Sequence, residues 1–292
     1  MSLKNFILDK NKNYQFRIIE TNEINTDFFK LIKKEKQDFD KFKKYLKNIE
    51  LKKLSNFLFF LRVLDFRLWE FPKNWQFKNE KGFYGLLLKT KNLFNINFNK
   101  IDFDIFRKLI SPKENYNLAN LRYKIFKQAL AWLNKNYDGD FLNYFEENKN
   151  PLKFCLNLFY LKKFKDYYRN FYFLKPNQLL YFEFIIGNKL DKKFKTELEE
   201  LTVFVDYKLP QLFINFNLIS LPKNILNKIK NKKNIKTHSI LENELRWASI
   251  ILGENLSKKL ALPSYLVDNL IWNLAHKIKF KIPYPKIKTI FY

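Results

Sequence analysis

The sequence predicts an all-α fold, built as a single globular domain, from two observations. Apolar residues recur at every fourth position over residues 121–133 and 266–278, which is the spacing of one face of an α-helix. Thr196 and Ser239 are each followed three positions later by glutamate, the pattern of a capping box that begins a helix. Phenylalanine and tyrosine are frequent along the whole chain, so aromatic clusters are weak evidence for strands.

Two helices are predicted from their apolar stripes and first turns. In the segment 121–135, Lys124 and Lys127 lie outside the apolar stripe, so this helix is expected to bury one face only. Pro222 suits the first turn of a helix over residues 224–231. Proline has no backbone N–H, and in the first turn of a helix that N–H would make no intrahelical hydrogen bond.

The C-terminal part of the chain is expected to contain two more helices. The helix that Ser239 begins is expected to end at Gly253, since glycine readily adopts the conformation that closes helices. The apolar stripe of residues 266–278 predicts the next helix. The segment Glu146–Pro151 (EENKNP) is the best candidate for a boundary, and it would divide the single domain into two lobes at most.

The composition argues against several classes of protein. None of the five glycines forms a G-x-G-x-x-G loop, which argues against a nucleotide-cofactor fold. A single cysteine, Cys155, excludes an internal disulfide framework and a cysteine-based zinc site. Two histidines, His238 and His276, leave little for a histidine-dependent metal site. Neither a metal ion nor an organic cofactor is expected.

The apolar runs are too short for a membrane protein. The best run, Phe57–Leu61, is followed at once by Arg62, whereas a spanning helix needs about 20 apolar residues. The first residues, MSLKNFILDKNKNY, lack the apolar stretch of a secretory signal. A soluble, cytoplasmic protein is the expectation.

The charge is strongly positive, and it has two interpretations. Lys and Arg total 55 against 29 Asp and Glu, a formal net charge of +26, which attracts phosphate-bearing partners. Only seven of these cations are arginine, the residue that reads phosphates and bases most specifically. The joint excess of Lys, Asn, Ile, Phe and Tyr also fits a coding sequence that has drifted toward A and T. Both explanations stay open.

Carboxylates within apolar sequence are the best candidates for chemistry, because burial shifts their pKa values. Asp206 lies in LTVFVDYKLPQLF. Pro210 cannot continue a preceding helix, so Asp206 is expected at the end of a helix or in the turn beyond it. The alternatives are a helix cap and an ion pair with Lys208.

Two further carboxylate groups lie in predicted helices. Asp268 and Trp272 are four residues apart, which places both on one helix face, suited to a planar base with N–H donors. The alternative is a solvated face with a half-buried tryptophan. Glu242 and Arg246 have the same spacing, and a structural ion pair is the simplest interpretation.

These segments, in this order, resemble the queuosine salvage protein family. The family pattern is roughly L-T-x-F-x-D-Y-x-x-P-Q, then S-x-x-E-x-E-x-R, then D-x-x-L-W, and the C-terminal PYPKIKTIFY is also similar. The matching residues are Leu201, Thr202, Phe204, Asp206, Tyr207, Pro210, Gln211, Ser239, Glu242, Glu244, Arg246, Asp268 and Trp272. Weaker upstream matches are Lys175 with Gln178, and Leu64 and Phe66 with Trp69. The resemblance covers Ser55 to the C-terminus.

The resemblance implies an all-α fold similar to helix-hairpin-helix DNA glycosylases. It also implies a hydrolase that splits queuosine 5′-monophosphate into queuine and ribose 5-phosphate, without a metal or cofactor. Asp206 would be catalytic, since a carboxylate beside C1′ stabilises or attacks the positive charge that develops on the ribose. The residues implied to bind the substrate are Phe204, Lys175, Tyr207, Gln211, Asp268, Asn269, Asn273, Trp272 and Arg246.

The chain departs from the family at three places. The family binds its ligand partly through a histidine in the N-terminal third, and this chain has no histidine before His238. Asn269 and Asn273 stand where the family often has a tyrosine and an acid, and Pro285 stands at a family histidine. The reaction type of this chain is therefore expected to match that of the family more closely than its exact substrate preference does.

Two other classes of function stay open beside the N-glycosidase. One is a basic nucleic-acid-binding or DNA-glycosylase-like protein, favoured by the charge and expected to bind duplex DNA or tRNA in a salt-sensitive way. The other is a non-enzymatic basic protein of a ribonucleoprotein. The N-glycosidase instead predicts a small-molecule substrate, with no membrane and no stable nucleic-acid partner.

Overall fold

The computed structural model describes residues 1–47, 49–68, 76–91, 98–110 and 118–292, and most of them are helical. The α-helices in this part of the chain are α1 (Leu3–Asn11), α2 (Thr26–Lys34), α3 (Asp40–Tyr45), α4 (Leu51–Leu64), α5 (Gly82–Thr90), α6 (Phe103–Ile110), α7 (Ala119–Tyr137), α8 (Phe141–Glu147), α9 (Pro151–Asn157), α10 (Lys175–Gly187), α11 (Lys195–Glu199), α12 (Lys208–Asn215), α13 (Lys223–Lys230), α14 (Ile240–Leu260) and α15 (Ser264–Lys277). The predicted all-α class is confirmed.

The strands of the described residues are short pairs that tie parts of the chain together. They are β1 (Glu20–Thr21), β2 (Gln76–Phe77), β3 (Glu80–Lys81), β4 (Tyr167–Tyr168), β5 (Phe171–Tyr172), β6 (Ile219–Ser220), β7 (Asn234–Ile235) and β8 (Lys286–Ile287). β1 pairs antiparallel with β6, β2 with β3, and β4 with β5, whereas β7 and β8 are parallel.

The chain forms two compact units. The first contains Met1–Phe39, Asp166–Gln178 and Phe194–Thr289, and the second contains Asp40–Lys165, Leu179–Lys193 and Ile290–Tyr292. The candidate boundary at residues 146–151 lies inside the second unit, and the single-domain organisation stays a prediction. Among the helices described, none has the length and apolar character that crossing a membrane requires.

In the second unit, α4 is the central helix. Its residues from Leu54 to Leu64 are buried, including Arg62, which is 1% exposed. The Arg62 guanidinium forms ion pairs with Asp65 and Glu183. These carboxylates compensate a buried charge that would otherwise be costly.

The stripe predicted for the long helix of this unit, α7, is confirmed. Ile125, Ala129 and Leu133 are buried, while Lys124 and Lys127 are exposed. The four-residue spacing therefore identified the face that packs on the core.

The predicted helix starts have mixed outcomes. Ser239 caps α14 as predicted, because its Oγ accepts a hydrogen bond from the Glu242 N–H at 3.3 Å. The prediction for Thr196 is wrong: α11 begins at Lys195, so this threonine lies inside the helix, and the preceding Phe194 makes no side-chain cap. Pro222 precedes the first residue of α13 by one position.

In the first unit, α14 is a largely buried helix, and it holds the N-terminal segment through Glu244. The Glu244 carboxylate is fully buried. It accepts hydrogen bonds from the Tyr14 hydroxyl at 2.8 Å and from the backbone N–H groups of Arg17, Ile18 and Ile19 at 2.8, 2.9 and 3.2 Å. Burial, together with the Glu244 carboxylate, raises the pKa of Tyr14 to about 12. These bonds fix residues 14–19 against α14.

The prediction that Gly253 ends a helix is wrong, since α14 continues to Leu260 and closes at Ala261 in the left-handed conformation with φ 52°. Gly253 instead allows Val203 to pack closely against the backbone of α14. A Cβ atom at this position would lie 2.6 Å from Val203 Cγ1 and 2.7 Å from Val203 Cγ2. The absent side chain lets residues 201–206, which are not helical, pack directly on α14.

Replacing Gly253 by alanine is expected to lower the free energy of unfolding by about 1–3 kcal/mol, because the new methyl group overlaps Val203. Alanine also has a higher helix propensity than glycine, which stabilises the helix by about 1 kcal/mol. This gain offsets only part of the energy lost to the overlap. Urea unfolding measures the difference. In a Val203→Ala background the same change should be neutral or stabilising. Equal stability of Gly253→Ala and the unmodified protein would show that the segment is not held this closely.

Candidate functional site

Asp206 lies directly ahead of α12. Its Oδ1 accepts a hydrogen bond from the Lys208 N–H at 2.6 Å, so Asp206 caps this helix, as one of the sequence alternatives stated. The prediction of a helix before Asp206 is wrong, because residues 201–206 are not helical. Pro210 lies in the first turn of α12, where a proline is tolerated. Asp206 is only half-buried, so a ligand can reach its carboxylate.

Asp268, in α15, is hydrogen-bonded to the non-helical segment 201–206, which ends at Asp206. Its Oδ1 accepts a hydrogen bond from the Phe204 N–H at 2.8 Å. Both residues are buried, with Phe204 at 5% and Asp268 at 8% exposure. This hydrogen bond joins the motif that contains Asp268 to the motif that contains Asp206, because Phe204 lies two positions before Asp206.

The electrostatics of Asp268 show which charges surround it. Burial raises its pKa from 3.8 to about 8, the Phe204 N–H and the Lys175 charge oppose that rise, and the Asp206 charge adds to it. Asp268 is therefore mostly protonated at neutral pH. Two charged residues that are distant from Asp268 in sequence, Lys175 and Asp206, therefore act on this carboxyl group within the first unit.

Lys175 is the first residue of α10, and it is positioned by Asp166. The Lys175 N–H donates to Asp166 Oδ2 at 2.9 Å. Arg246 donates to both carboxylate oxygens of Asp166 at 2.7 Å, and its Nη2 donates to the Val205 carbonyl at 3.3 Å. These contacts make Arg246 a support for the backbone next to Asp206. Its predicted contact with the substrate stays a prediction.

The Lys175 and Asp206 segments are joined by a second buried contact. Gln178 Nε2 donates to Thr202 Oγ1 at 3.0 Å, and the Thr202 N–H donates to Gln178 Oε1 at 2.8 Å. Both residues belong to the motifs singled out in the sequence. Trp69, from the weakest of those motifs, lies outside the described residues.

Two further predicted residues, Tyr207 and Gln211, attach the segment after α15 to α12. The Tyr207 ring lies 4.8 Å from the Tyr284 ring, centroid to centroid. Gln211 Nε2 donates to the Ile282 carbonyl at 3.1 Å. Their predicted substrate contacts stay predictions.

Asn269 and Asn273 both contact the segment after α2. Asn269 Oδ1 accepts from the Asp38 N–H at 3.0 Å, and Asn273 Nδ2 donates to the Lys36 carbonyl at 2.9 Å. These amides hold residues 36–38 against α15. Whether they also contact a substrate is a prediction.

Trp272 contacts His276, an exposed histidine that the sequence argument had not assigned to the site. The His276 ring lies 4.0 Å from the Trp272 ring, and its Nδ1 donates to the Trp272 carbonyl at 2.7 Å. Partial desolvation lowers the pKa of His276 and the Lys208 charge lowers it further, whereas the hydrogen bond to the Trp272 carbonyl and the Asp206 charge oppose that change. His276 is two helical turns beyond Asp268, a spacing that could have identified it.

Comparison with known proteins shows which family the sequence matches. The family model described as "Queuosine salvage protein" matches residues 44–292, which include the ten predicted site residues. A curated relative from Sphaerobacter thermophilus, named queuosine 5′-phosphate N-glycosylase/hydrolase, is 32% identical over 102 residues. That alignment spans 33% of this chain and 32% of the relative.

Proposed function

The chain belongs to the queuosine salvage protein family, and from this premise we propose that it hydrolyses the N-glycosidic bond of queuosine 5′-monophosphate. The products are queuine and ribose 5-phosphate, which would serve the salvage of queuine for tRNA. The observation that supports the proposal most strongly is the placement of Asp268 against the Phe204 N–H, two residues before Asp206. One carboxyl group is thereby buried while its neighbour is left accessible.

Asp206 is the catalytic residue in this proposal. Breaking the bond between C1′ and the base develops positive charge on the ribose. A carboxylate held beside C1′ stabilises that charge or attacks it. The hydrogen bond from the Lys208 N–H fixes one Asp206 oxygen at 2.6 Å, so the side chain is oriented before the substrate arrives.

Asp268 recognises the base. As a protonated acid it offers one O–H donor and an acceptor oxygen, and as a carboxylate it offers acceptors only. A base with N–H donors and a cationic amine would favour the carboxylate, so binding would release a proton from Asp268. Phe204 is proposed to pack on the flat ring, with Trp272 as a wall of the same pocket.

The remaining assignments extend the proposal. Lys175 contacts the substrate or the carboxylates, and the other residues proposed to line the pocket are Tyr207, Gln211, Asn269, Asn273 and Arg246. We propose a helix arrangement similar to that of helix-hairpin-helix DNA glycosylases, and a reaction that uses no metal or cofactor.

Mass spectrometry of the protein incubated with queuosine 5′-monophosphate tests the activity. Free queuine should accumulate with time and with protein concentration. Guanosine 5′-monophosphate is a matched control, since it shares the ribose phosphate and carries a different base. If neither nucleotide releases a base, the proposed activity is wrong.

The formal net charge of +26 favours a second candidate, a nucleic-acid-binding or DNA-glycosylase-like protein. It predicts binding to duplex DNA or tRNA that weakens steeply as salt rises. Fluorescence anisotropy over a salt series measures this binding. Release of queuine from the mononucleotide without any polymer would favour the first candidate.

Replacing Lys175 by methionine is expected to reduce kcat/KM for queuosine 5′-monophosphate and for the nucleoside queuosine by similar factors. The reason is that Lys175 is 6% exposed and its charge acts on Asp268, so its loss changes base recognition for both substrates. Lys230→Met, at an exposed position of α13, is the control. A loss confined to the nucleotide would instead place Lys175 at the phosphate.

A further inference from the structure

Two segments of the first unit contain lysines but neither aspartate nor glutamate. Residues 207–241 hold seven lysines and residues 269–289 hold five, although the chain has 29 acidic residues in total. A coding sequence that drifts toward A and T gains lysines along its whole length. Such a drift gives no reason why acids are missing from these two segments, so their local charge needs an explanation of its own.

The fold joins the two segments through the parallel pair of β7 and β8. Ile235 pairs with Ile287, and just beyond this pair the Thr237 Oγ1 donates to the Lys288 carbonyl at 3.0 Å. Both isoleucines are 3% exposed, so the apolar side chains of the two strands point into the unit. Because side chains alternate along a strand, the residues on either side of the isoleucines point outward.

The outward positions of this strand pair, and the turn that leads into β7, carry cations. The exposed side chains Lys232, Lys233, Lys236 and Lys288, together with the half-buried Lys286, form a surface that we call the basic face. Within the part of the chain that the structure describes, no ion pair involves the lysines at positions 232, 233 and 236. Like charges gathered in this way repel one another until an anion neutralises them.

Planar side chains border the basic face at the end of β7. The Tyr168 ring stacks on the His238 ring, with 4.9 Å between centroids and 17° between planes. The guanidinium carbon of Arg169 lies 5.4 Å from the centre of the Tyr168 ring, and Arg169 is exposed. Aromatic rings and guanidinium planes are the groups on which proteins stack unpaired RNA bases. The border of the basic face therefore offers a contact that a phosphate backbone alone would not use.

We propose that the basic face binds the phosphate backbone of a folded RNA with unpaired bases, such as a tRNA. Lysine ammonium groups contact phosphates as point charges without reading the sequence. Arg169, beside the Tyr168–His238 stack, contacts an unpaired base. The proposal does not depend on hydrolysis of the nucleotide. It gives the second candidate function a location on the molecule and a kind of nucleic acid.

The basic face lacks the apolar side chains that other acidic partners would use. Within residues 231–240, the large apolar side chain that is exposed is Ile240, at 45%. A surface binds a bilayer in proportion to the apolar area that it buries, and the core of a protein interface is depleted of lysine and enriched in aromatic residues. An RNA backbone is therefore favoured over an anionic bilayer and over an acidic protein.

Fluorescence anisotropy with a labelled, unmodified tRNA transcript over a salt series tests the basic face. The triple variant Lys232→Gln, Lys233→Gln, Lys236→Gln should bind at least about tenfold more weakly near physiological salt. The slope of log Kd against log salt should fall by about 2, because three phosphate contacts are lost. Circular dichroism verifies that the variant is folded.

The matched control removes the same net charge from another surface. Its substitutions are Lys124→Gln, Lys127→Gln and Lys135→Gln, all at exposed positions of α7. This variant should keep the affinity and the salt slope of the unmodified protein. Equal losses in the two triple variants would overturn the proposal, since binding would then follow net charge rather than the basic face.

Arg169→Ala distinguishes the kinds of partner. It should weaken binding to tRNA more than binding to a DNA duplex of similar length, because the duplex offers no unpaired base. Equal losses on both nucleic acids, or tighter binding to phosphatidylserine vesicles than to tRNA, would overturn the assignment to RNA. These measurements contain no queuosine 5′-monophosphate, so their outcome is independent of whether the proposed hydrolysis occurs.

Discussion

Asp206→Asn is expected to lower kcat for queuosine 5′-monophosphate by about 10³-fold or more, because the charge that stabilises the developing positive ribose is removed. The fold should be retained. Asparagine is as good a helix cap as aspartate, so its Oδ1 still accepts the Lys208 N–H. Circular dichroism and thermal unfolding verify this, and single-turnover kinetics measure the loss.

The matched control for this change is Asp102→Asn. Asp102 also accepts a backbone N–H at a helix start, that of Ile105 at 2.8 Å, and it is exposed. It should keep full turnover. If Asp206→Asn also turned over at a rate close to that of the unmodified protein, Asp206 would have no catalytic role.

Asp268→Asn is expected to change both affinity and the pH dependence of stability. The folded protein holds a proton on Asp268 up to pH of about 8, whereas the unfolded chain releases it near pH 3.8. Between these values the folded state binds more protons, so stability falls as pH rises. Asparagine cannot ionise, and the fall should disappear from the variant. The difference at pH 9 is on the order of a few kcal/mol.

Urea unfolding at a series of pH values measures this effect, with Asp102→Asn as the control. An identical pH dependence in the unmodified protein and in Asp268→Asn would show that Asp268 does not carry the buried proton.

Asp268→Asn should also raise KM for queuosine 5′-monophosphate by a factor that corresponds to about 2 kcal/mol, since a hydrogen-bond donor of the ligand is left unpaired. An unchanged KM would place base recognition elsewhere.

The helices were predictable where the sequence carries a local signal. The stripe of α7 and the cap at Ser239 involve residues at most a few positions apart, and both are confirmed. Gly253 was predicted wrongly because its role depends on Val203, which is 50 positions away in the chain and contacts it only in the fold.

The same distinction applies to the site. The motifs identified Lys175, Phe204, Asp206 and Asp268, and the first unit brings these residues into one electrostatic neighbourhood. The partner of Arg246 was not predictable, since local spacing favoured Glu242 while the bidentate partner is Asp166, 80 positions earlier.

Mass spectrometry of a single-turnover reaction tests the central claim, that Asp206 acts in a preformed site for queuosine 5′-monophosphate. Protein in excess is mixed with the nucleotide, and queuine, ribose 5-phosphate and intact nucleotide are quantified over time. The unmodified protein should convert all the nucleotide into equal amounts of the two products, while Asp206→Asn should retain it intact. Absence of queuine with the unmodified protein, or the same release by Asp206→Asn, would contradict the claim.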